Sequence, residues 1–218
     1  MKIGVLFDLD GTLLDTLDDL TDATNVTMRH FGKPEQSRER MRQIIGGGAF
    51  YQITTALAES ANGLDIQEVF RYYRMYYDAH SCIKTCPYPH VVDTLAALKK
   101  KYPVGIVSNK PDVVVQELSA KFFPGTYALG ESPALPKKPA PDMVKKAMEC
   151  LGVDACVYVG DTQVDIETAK NAGVPCLCVL WGFRDKEQLD AAGGKYYCDD
   201  WTKLTQSIEK LIGEIYGE

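Results

Sequence analysis

At 218 residues the chain exceeds one ordinary domain and falls short of three, which allows one large domain or a core carrying a small insertion. Its 30 acidic against 24 basic side chains give a net charge of −6, a balance that excludes nucleic-acid phosphates and anionic lipid as principal partners. With 45% hydrophobic and 25% charged residues, the composition is that of a globular protein and not of a disordered chain.

The start, Met1 through Asp8, reaches a charge too early for the apolar region of a signal peptide, and no apolar run of about 18 residues follows anywhere, so a cytoplasmic protein without a membrane partner is expected. Residues 3–7 form an apolar run that reads as a buried first strand. From Asp15 to Ser81 the signals are helical only, over 17–31, 38–45, 50–61 and 66–80, the last opened by Asp65 and Glu68 at capping-box spacing. Tyr72, Tyr73, Tyr76 and Tyr77, with Phe70, fall at helical spacings and read as packing of this stretch against itself or a partner.

An all-helical stretch directly after a first strand reads as an inserted small domain, because the sheet does not resume until the run at 104–107. Its joints are expected near Leu14 and Cys82, so that 15–81 is the insert and 1–14 with 82–218 the core. Further strands at 104–107, 155–159 and 175–180 alternate with helices at 91–101, 111–122, 141–151 and 164–171 and one near the C-terminus. Pro111 and Pro141 suit first-turn helix positions, and Gly152 and Gly173 sit where a left-handed C-terminal residue is wanted. The rhythm predicts an α/β protein, a Rossmann-like parallel sheet flanked by helices with a small all-helical domain inserted after the first strand. The seven cysteines, odd in number and irregularly spaced, fit reduced thiols; Cys82 with Cys86 and Cys176 with Cys178 lack further ligands at zinc-site spacing.

Open parallel sheets bind ligands at the carboxyl ends of their strands, and four segments there carry chemistry. Asp8-Leu9-Asp10-Gly11-Thr12 places two carboxylates, a glycine and a hydroxyl after the first strand. Ser108-Asn109-Lys110-Pro111 offers a hydroxyl, an amide and backbone N–H groups to phosphate oxygens, although alone it reads as a helix cap. In Lys137-Lys138-Pro139-Ala140-Pro141-Asp142 two prolines stiffen a loop that can aim one ammonium at a fixed point. Gly160-Asp161-Thr162-Gln163-Val164-Asp165 sets two carboxylates one helical turn apart. All four can converge on one edge of one sheet, where crowded carboxylates repel unless a cation neutralises them, and Mg2+ with a substrate phosphate fits such a set.

In this order, and with a helical insert after the first strand, the four segments resemble the haloacid dehalogenase superfamily in its phosphatase branch, over the entire chain. The resemblance implies that Asp8 attacks phosphorus to form an aspartyl-phosphate, and that Asp10 protonates the leaving alkoxide, deprotonates the attacking water and lends its backbone carbonyl to Mg2+. It implies further that Ser108 and Lys138 hold the phosphoryl group with help from Asn109, and that Asp8, Asp10, Asp161 and Asp165 bind the metal. Gly11 and Thr12 would face the phosphate, and 15–81 would be a cap that closes over the core 1–14 and 82–218.

Asp10 disfavours carbon-halogen cleavage, for dehalogenases lack an Asp at that spacing, and the first lysine after Asp8 is Lys33, too late for the Schiff-base lysine of phosphonoacetaldehyde hydrolases. Sugar-phosphate mutases carry a histidine in the first cap helix, whereas residues 17–29 hold none and His30 comes at the helix end. The phosphoglycolate phosphatase group is the nearest likeness, through Ile45-Gly46-Gly47-Gly48 and Trp181-Gly182-Phe183-Arg184. It implies a small phosphorylated metabolite as substrate, with Arg42, the Gly46, Gly47 and Gly48 amides or Arg184 meeting a carboxylate, in a monomer or homodimer. Pyrophosphate and nucleoside or sugar monophosphates, a phosphomutase and a non-catalytic phosphate- or protein-binding relative stay open beside this reading.

Overall fold

A computed structural model of the chain describes residues 1–217, the side chain of Glu59 excepted; Glu218, the last residue of the expected core, lies outside the described residues. The chain opens with strand β1 (Ile3–Phe7) and, after a turn, the two-residue strand β2 (Leu14–Asp15). Four helices follow, α1 (Leu17–His30), α2 (Arg38–Ile44), α3 (Ala49–Leu57) with a 3-10 turn behind it (Ala58–Ala61), and α4 (Ile66–His80). Strand β3 (Cys86–Pro87) then pairs antiparallel with β2, Leu14 opposite Pro87 and Asp15 opposite Cys86, so the chain leaves and returns through adjacent strands.

The rest alternates: α5 (Val91–Leu98), β4 (Val104–Pro111), α6 (Asp112–Phe122), β5 (Tyr127–Glu131), α7 (Asp142–Leu151), β6 (Ala155–Gly160), α8 (Gln163–Ala172), β7 (Cys176–Val179), α9 (Lys186–Ala191), β8 (Tyr196–Cys198) and α10 (Leu204–Tyr216). The main sheet is parallel throughout, in the order β5-β4-β1-β6-β7-β8. Strand order therefore reverses at β1, and the crevice at the carboxyl ends of β1, β4 and β6 is the switch point where such sheets bind ligands.

Strand β1 is buried on both faces, as a central parallel strand must be. Val5 and Phe7 join the core shared with α5, α6 and α10, while Leu6 points to the opposite core with Val107 and Tyr158, against Met143 and Val144 of α7. The insert packs on itself: Tyr73 and Tyr77 of α4 are fully buried and stacked, and Tyr72 lies flat on His30. All seven cysteines are unpaired, and no described helix is long and apolar enough to cross a membrane.

Apart from the six-residue α9, for which no helix was expected, the helices lie where periodicity puts them, and Gly152 and Gly173 terminate α7 and α8 in left-handed conformation. Four local expectations are corrected. Asp65 caps α4 alone, its carboxylate accepting the Gln67 N–H, with no reciprocal bond from Glu68. Pro111 and Pro141 stand one residue before their helices. Strand β4 runs on through Ser108-Asn109-Lys110 to Pro111 because a register shift between Val107 and Pro111 lets Pro111 pair with Glu131, so this segment ends a strand and does not open a helix. Strands β5 and β8 lacked a sequence signal: one carries Gly130 and Glu131, and the other is three residues long.

Candidate active site

Asp8 emerges from the end of β1, its N–H still held by the Val159 carbonyl at 2.9 Å, so the adjacent strand fixes where the carboxylate starts. Asp161 follows β6, and Asp165 sits in the first turn of α8. All three are buried, and one oxygen from each lies within 4.8 Å of the others. Lys138 reaches into this cluster from the loop before α7, its Nζ 2.9 Å from Asp8 Oδ1, 2.8 Å from Asp165 Oδ1 and 2.9 Å from the Tyr158 hydroxyl. Three acceptors match the three N–H bonds of an ammonium, which fixes Lys138 tightly.

The carboxylates are oriented from behind. Asp161 accepts the Thr12 hydroxyl at 2.7 Å and the Phe183 N–H at 2.8 Å. Asp165 Oδ2 accepts the Thr162 N–H at 3.0 Å and the Thr162 hydroxyl at 2.8 Å, closing the N-terminus of α8. Burial lifts the Asp8 carboxyl to about 7 against the pull of Lys138, with Asp165 and Asp10 adding to the rise. Burial, then Asp165 and Asp8, holds Asp161 well above the ordinary carboxylate range. For Lys138, burial works against the charge, but Asp165 and Asp8 outweigh it and keep the amine protonated.

Fully ionised, the three carboxylates would leave two negative charges in excess of the one ammonium, a state that the raised Asp8 and Asp161 show to be resisted without a cation. A divalent cation would cancel that excess, and an all-oxygen donor set with Asp8 lining a cavity suits a hard ion that retains waters and takes a substrate oxygen. The residues therefore fit a metal of the Mg2+ type.

A narrow cavity of about 30 Å³ lies between the strand ends and the helical insert. Of the residues picked out by sequence, Asp8, Asp10, Gly46, Gly48, Ser108, Asn109 and Lys138 line it. The others stand behind its wall. The Thr12 hydroxyl is taken by Asp161, and the missing Cβ of Gly11 makes room for Asp161, whose Oδ2 would lie 2.3 Å from it. Asn109 uses its amide on the Lys138 backbone, accepting its N–H at 2.8 Å and donating to its carbonyl at 2.9 Å, and so positions the lysine. The Gly47 carbonyl accepts Lys137.

Arg42 and Arg184 also lie outside the wall, bound to each other's segments. Arg42 donates to the carbonyls of Phe183 at 3.0 Å and Gly182 at 2.5 Å. Arg184, buried, donates to those of Arg42 at 2.6 Å, Gln43 at 2.9 Å and Ile45 at 2.9 Å. This clasp ties the end of α2 to the loop after β7, leaving neither guanidinium in the cavity wall.

A sequence model of the haloacid dehalogenase-like hydrolase family matches residues 5–179, a span from β1 to the end of β7 that takes in every residue of the acidic cluster. The chain belongs to this family. Among haloacid dehalogenase-like hydrolases it is similar to phosphoglycolate phosphatase 1 of Pseudomonas aeruginosa, 34% identical over 191 residues that cover 82% of this chain and 70% of the relative. The phosphoglycolate phosphatase of Aquifex aeolicus is 34% identical over 189 residues, covering 82% and 85%. A crystal structure from Lactobacillus delbrueckii subsp. bulgaricus, provisionally named a phosphoglycolate phosphatase, superposes with a TM-score of 0.88 at 34% identity over 94% of this chain and 97% of that one.

Three residues of the site went unnoticed in the sequence. Tyr158 sits mid-strand in an apolar run and reads as core, yet its hydroxyl accepts from Lys138 and donates to the Val107 carbonyl at 3.0 Å. The signal for Thr162 was the capping pattern with Asp165. Lys110 is buried, with its Nζ 2.7 Å from Asp10 Oδ1; its place directly after Ser108-Asn109 was the available clue.

Proposed function

We propose that this protein is a Mg2+-dependent phosphatase that hydrolyses a small phosphate monoester of the phosphoglycolate class through an aspartyl-phosphate on Asp8. The observation that carries the reading is the buried cluster of Asp8, Asp161 and Asp165, with Lys138 bound to Asp8 and Asp165, at the switch point of a parallel sheet. The names of the relatives support the substrate class.

Asp8, Asp161, Asp165 and the backbone carbonyl of Asp10 would hold the metal. When bound, Mg2+ neutralises the nucleophile and the phosphoryl oxygens, which otherwise repel one another. An Asp8 carboxylate oxygen forms a bond to phosphorus as the bond to the bridging oxygen breaks, and Asp10 gives its proton to the departing alkoxide. Asp10 then takes a proton from the water that displaces Asp8 and releases inorganic phosphate. Lys138, held by Asp165, Tyr158 and the Asn109 clamp, neutralises charge on the transferring group, and the Ser108 hydroxyl donates to one of its oxygens.

Residues 15–81 act as a cap and the remainder as the catalytic core, with the β2–β3 pair as the joint. The seven unpaired thiols support a reducing, cytoplasmic setting. Replacing Asp8 by Asn is expected to abolish hydrolysis of an aryl phosphate while the melting profile and circular dichroism stay those of a folded protein, and a chelator should abolish turnover by the unmodified enzyme. Turnover by the variant would refute the reading.

A further inference from the structure

The cavity beside Asp8 contains a second buried ammonium, that of Lys110 at the end of β4. Its Nζ lies 2.7 Å from Asp10 Oδ1 and 4.9 Å from the centroid of the Tyr77 ring on α4, so it is held between the core and the insert. Lys138 has all three N–H bonds satisfied by Asp8, Asp165 and Tyr158; among the described residues, Asp10 is the one carboxylate that pairs with Lys110. The two lysines are the cations that line the cavity.

On the reading above, Asp10 turns to the bridging oxygen of the ester, and Lys110 then loses or shares its acceptor while remaining buried. A buried ammonium without an anion is strongly unfavourable, so a leaving group that brings its own anion is favoured over one that does not. Apart from the Tyr77 hydroxyl, buried without a hydrogen-bond partner among the described residues, the neighbouring walls offer little to a polyhydroxylated leaving group. Leu20, Ile45 and Ala49 are apolar, and the Gln52 amide already donates to Thr24 at 2.9 Å and Tyr73 at 3.2 Å. The arginines expected to meet a carboxylate are bound to main-chain carbonyls.

We propose that Lys110 is the specificity-determining residue of this enzyme, its ammonium receiving a carboxylate carried by the leaving group within two bonds of the bridging oxygen. This rests on the phosphatase reading and adds the residue that selects the substrate.

The test is steady-state hydrolysis of 2-phosphoglycolate and of ethyl phosphate, which has the same two-carbon skeleton without the carboxylate, by the wild type, Lys110→Gln and Lys110→Arg, with Mg2+ present. The wild type should prefer 2-phosphoglycolate in kcat/KM by about 100-fold or more, the range of a buried charge pair. Lys110→Gln should lower kcat/KM about 1,000-fold for 2-phosphoglycolate and about tenfold for ethyl phosphate, through the lost contact with Asp10, so that the preference collapses; Lys110→Arg should recover part of it. An equal fall for both esters, or an unchanged preference, would overturn the proposal and leave the phosphatase reading standing. A wild type that hydrolyses neither these esters nor an aryl phosphate would overturn both. Should Lys110→Gln not fold by its melting profile, the preference of Lys110→Arg against wild type decides: an identical ratio with Arg's larger, displaced charge would contradict a direct contact.

Discussion

Asp8 and Asp165 share one ammonium with Asp161 buried beside them, and the consequence is a site that resists full ionisation until a cation arrives. The Asp8 carboxyl titrates near 7 in the folded protein against 3.8 when unperturbed, so the folded state binds more protons than the unfolded state between these values. Stability of the metal-free protein is therefore fully present below about pH 4 and is lost as pH rises towards 7, with Asp161 adding to the loss in the same direction. Thermal melting of chelated protein should give a lower Tm at pH 7.5 than at pH 5.5, other groups held in view by an Asp8→Asn control, and Mg2+ should raise Tm more at pH 7.5. Equal metal stabilisation at both values would contradict the account.

Tyr158→Phe removes one of three acceptors from Lys138 and the donor to Val107, and is expected to cost about 1–2 kcal/mol in urea unfolding with activity reduced and not abolished. Sequence exposed the four carboxylates because they fall within two turns of the end of an apolar run, and Lys138 because two prolines stiffen the loop directly after it. It did not expose Tyr158 or Lys110, since a tyrosine in a strand looks like packing, and the burial of Lys110 depends on Tyr77, 33 residues earlier in the chain, packing against it.

At the level of elements, two of the contacts that join insert and core involve buried charges. Asp19 of α1 is buried and accepts the N–H groups of Ile83, Lys84 and Thr85 and the Thr85 hydroxyl, at 2.8 to 3.0 Å, pinning the returning strand just before β3. Asp19→Ala leaves these donors without their acceptor and is expected to cost about 2–4 kcal/mol in urea unfolding. Arg184 holds three carbonyls at the C-terminal end of α2, where a positive charge also complements the helix dipole, so Arg184→Ala should cost a similar amount. The alternation of strands and helices was legible from apolar periodicity. The β2–β3 pair, two residues a side, was not, because strands that short have no period to read.

For the whole molecule, the sheet order puts the ends of β1, β4 and β6 together, and the insert closes the cavity over them. If the insert is a cap, amide hydrogen exchange in 83–87 and 45–48 should slow when Mg2+ and a phosphate mimic such as beryllium fluoride are added together, while exchange in β1 and β6 stays unchanged. Uniform slowing across the protein would argue for general stabilisation without closure.

The central claim is that Asp8 carries the phosphoryl group. Its most direct test is rapid acid quenching of the enzyme during turnover of phosphorus-labelled 2-phosphoglycolate with Mg2+, followed by peptide mapping. The account predicts a hydroxylamine-labile label on the peptide that contains Asp8 and none after Asp8→Asn. Label on another residue, or turnover with no labelled protein at any quench time, would contradict it.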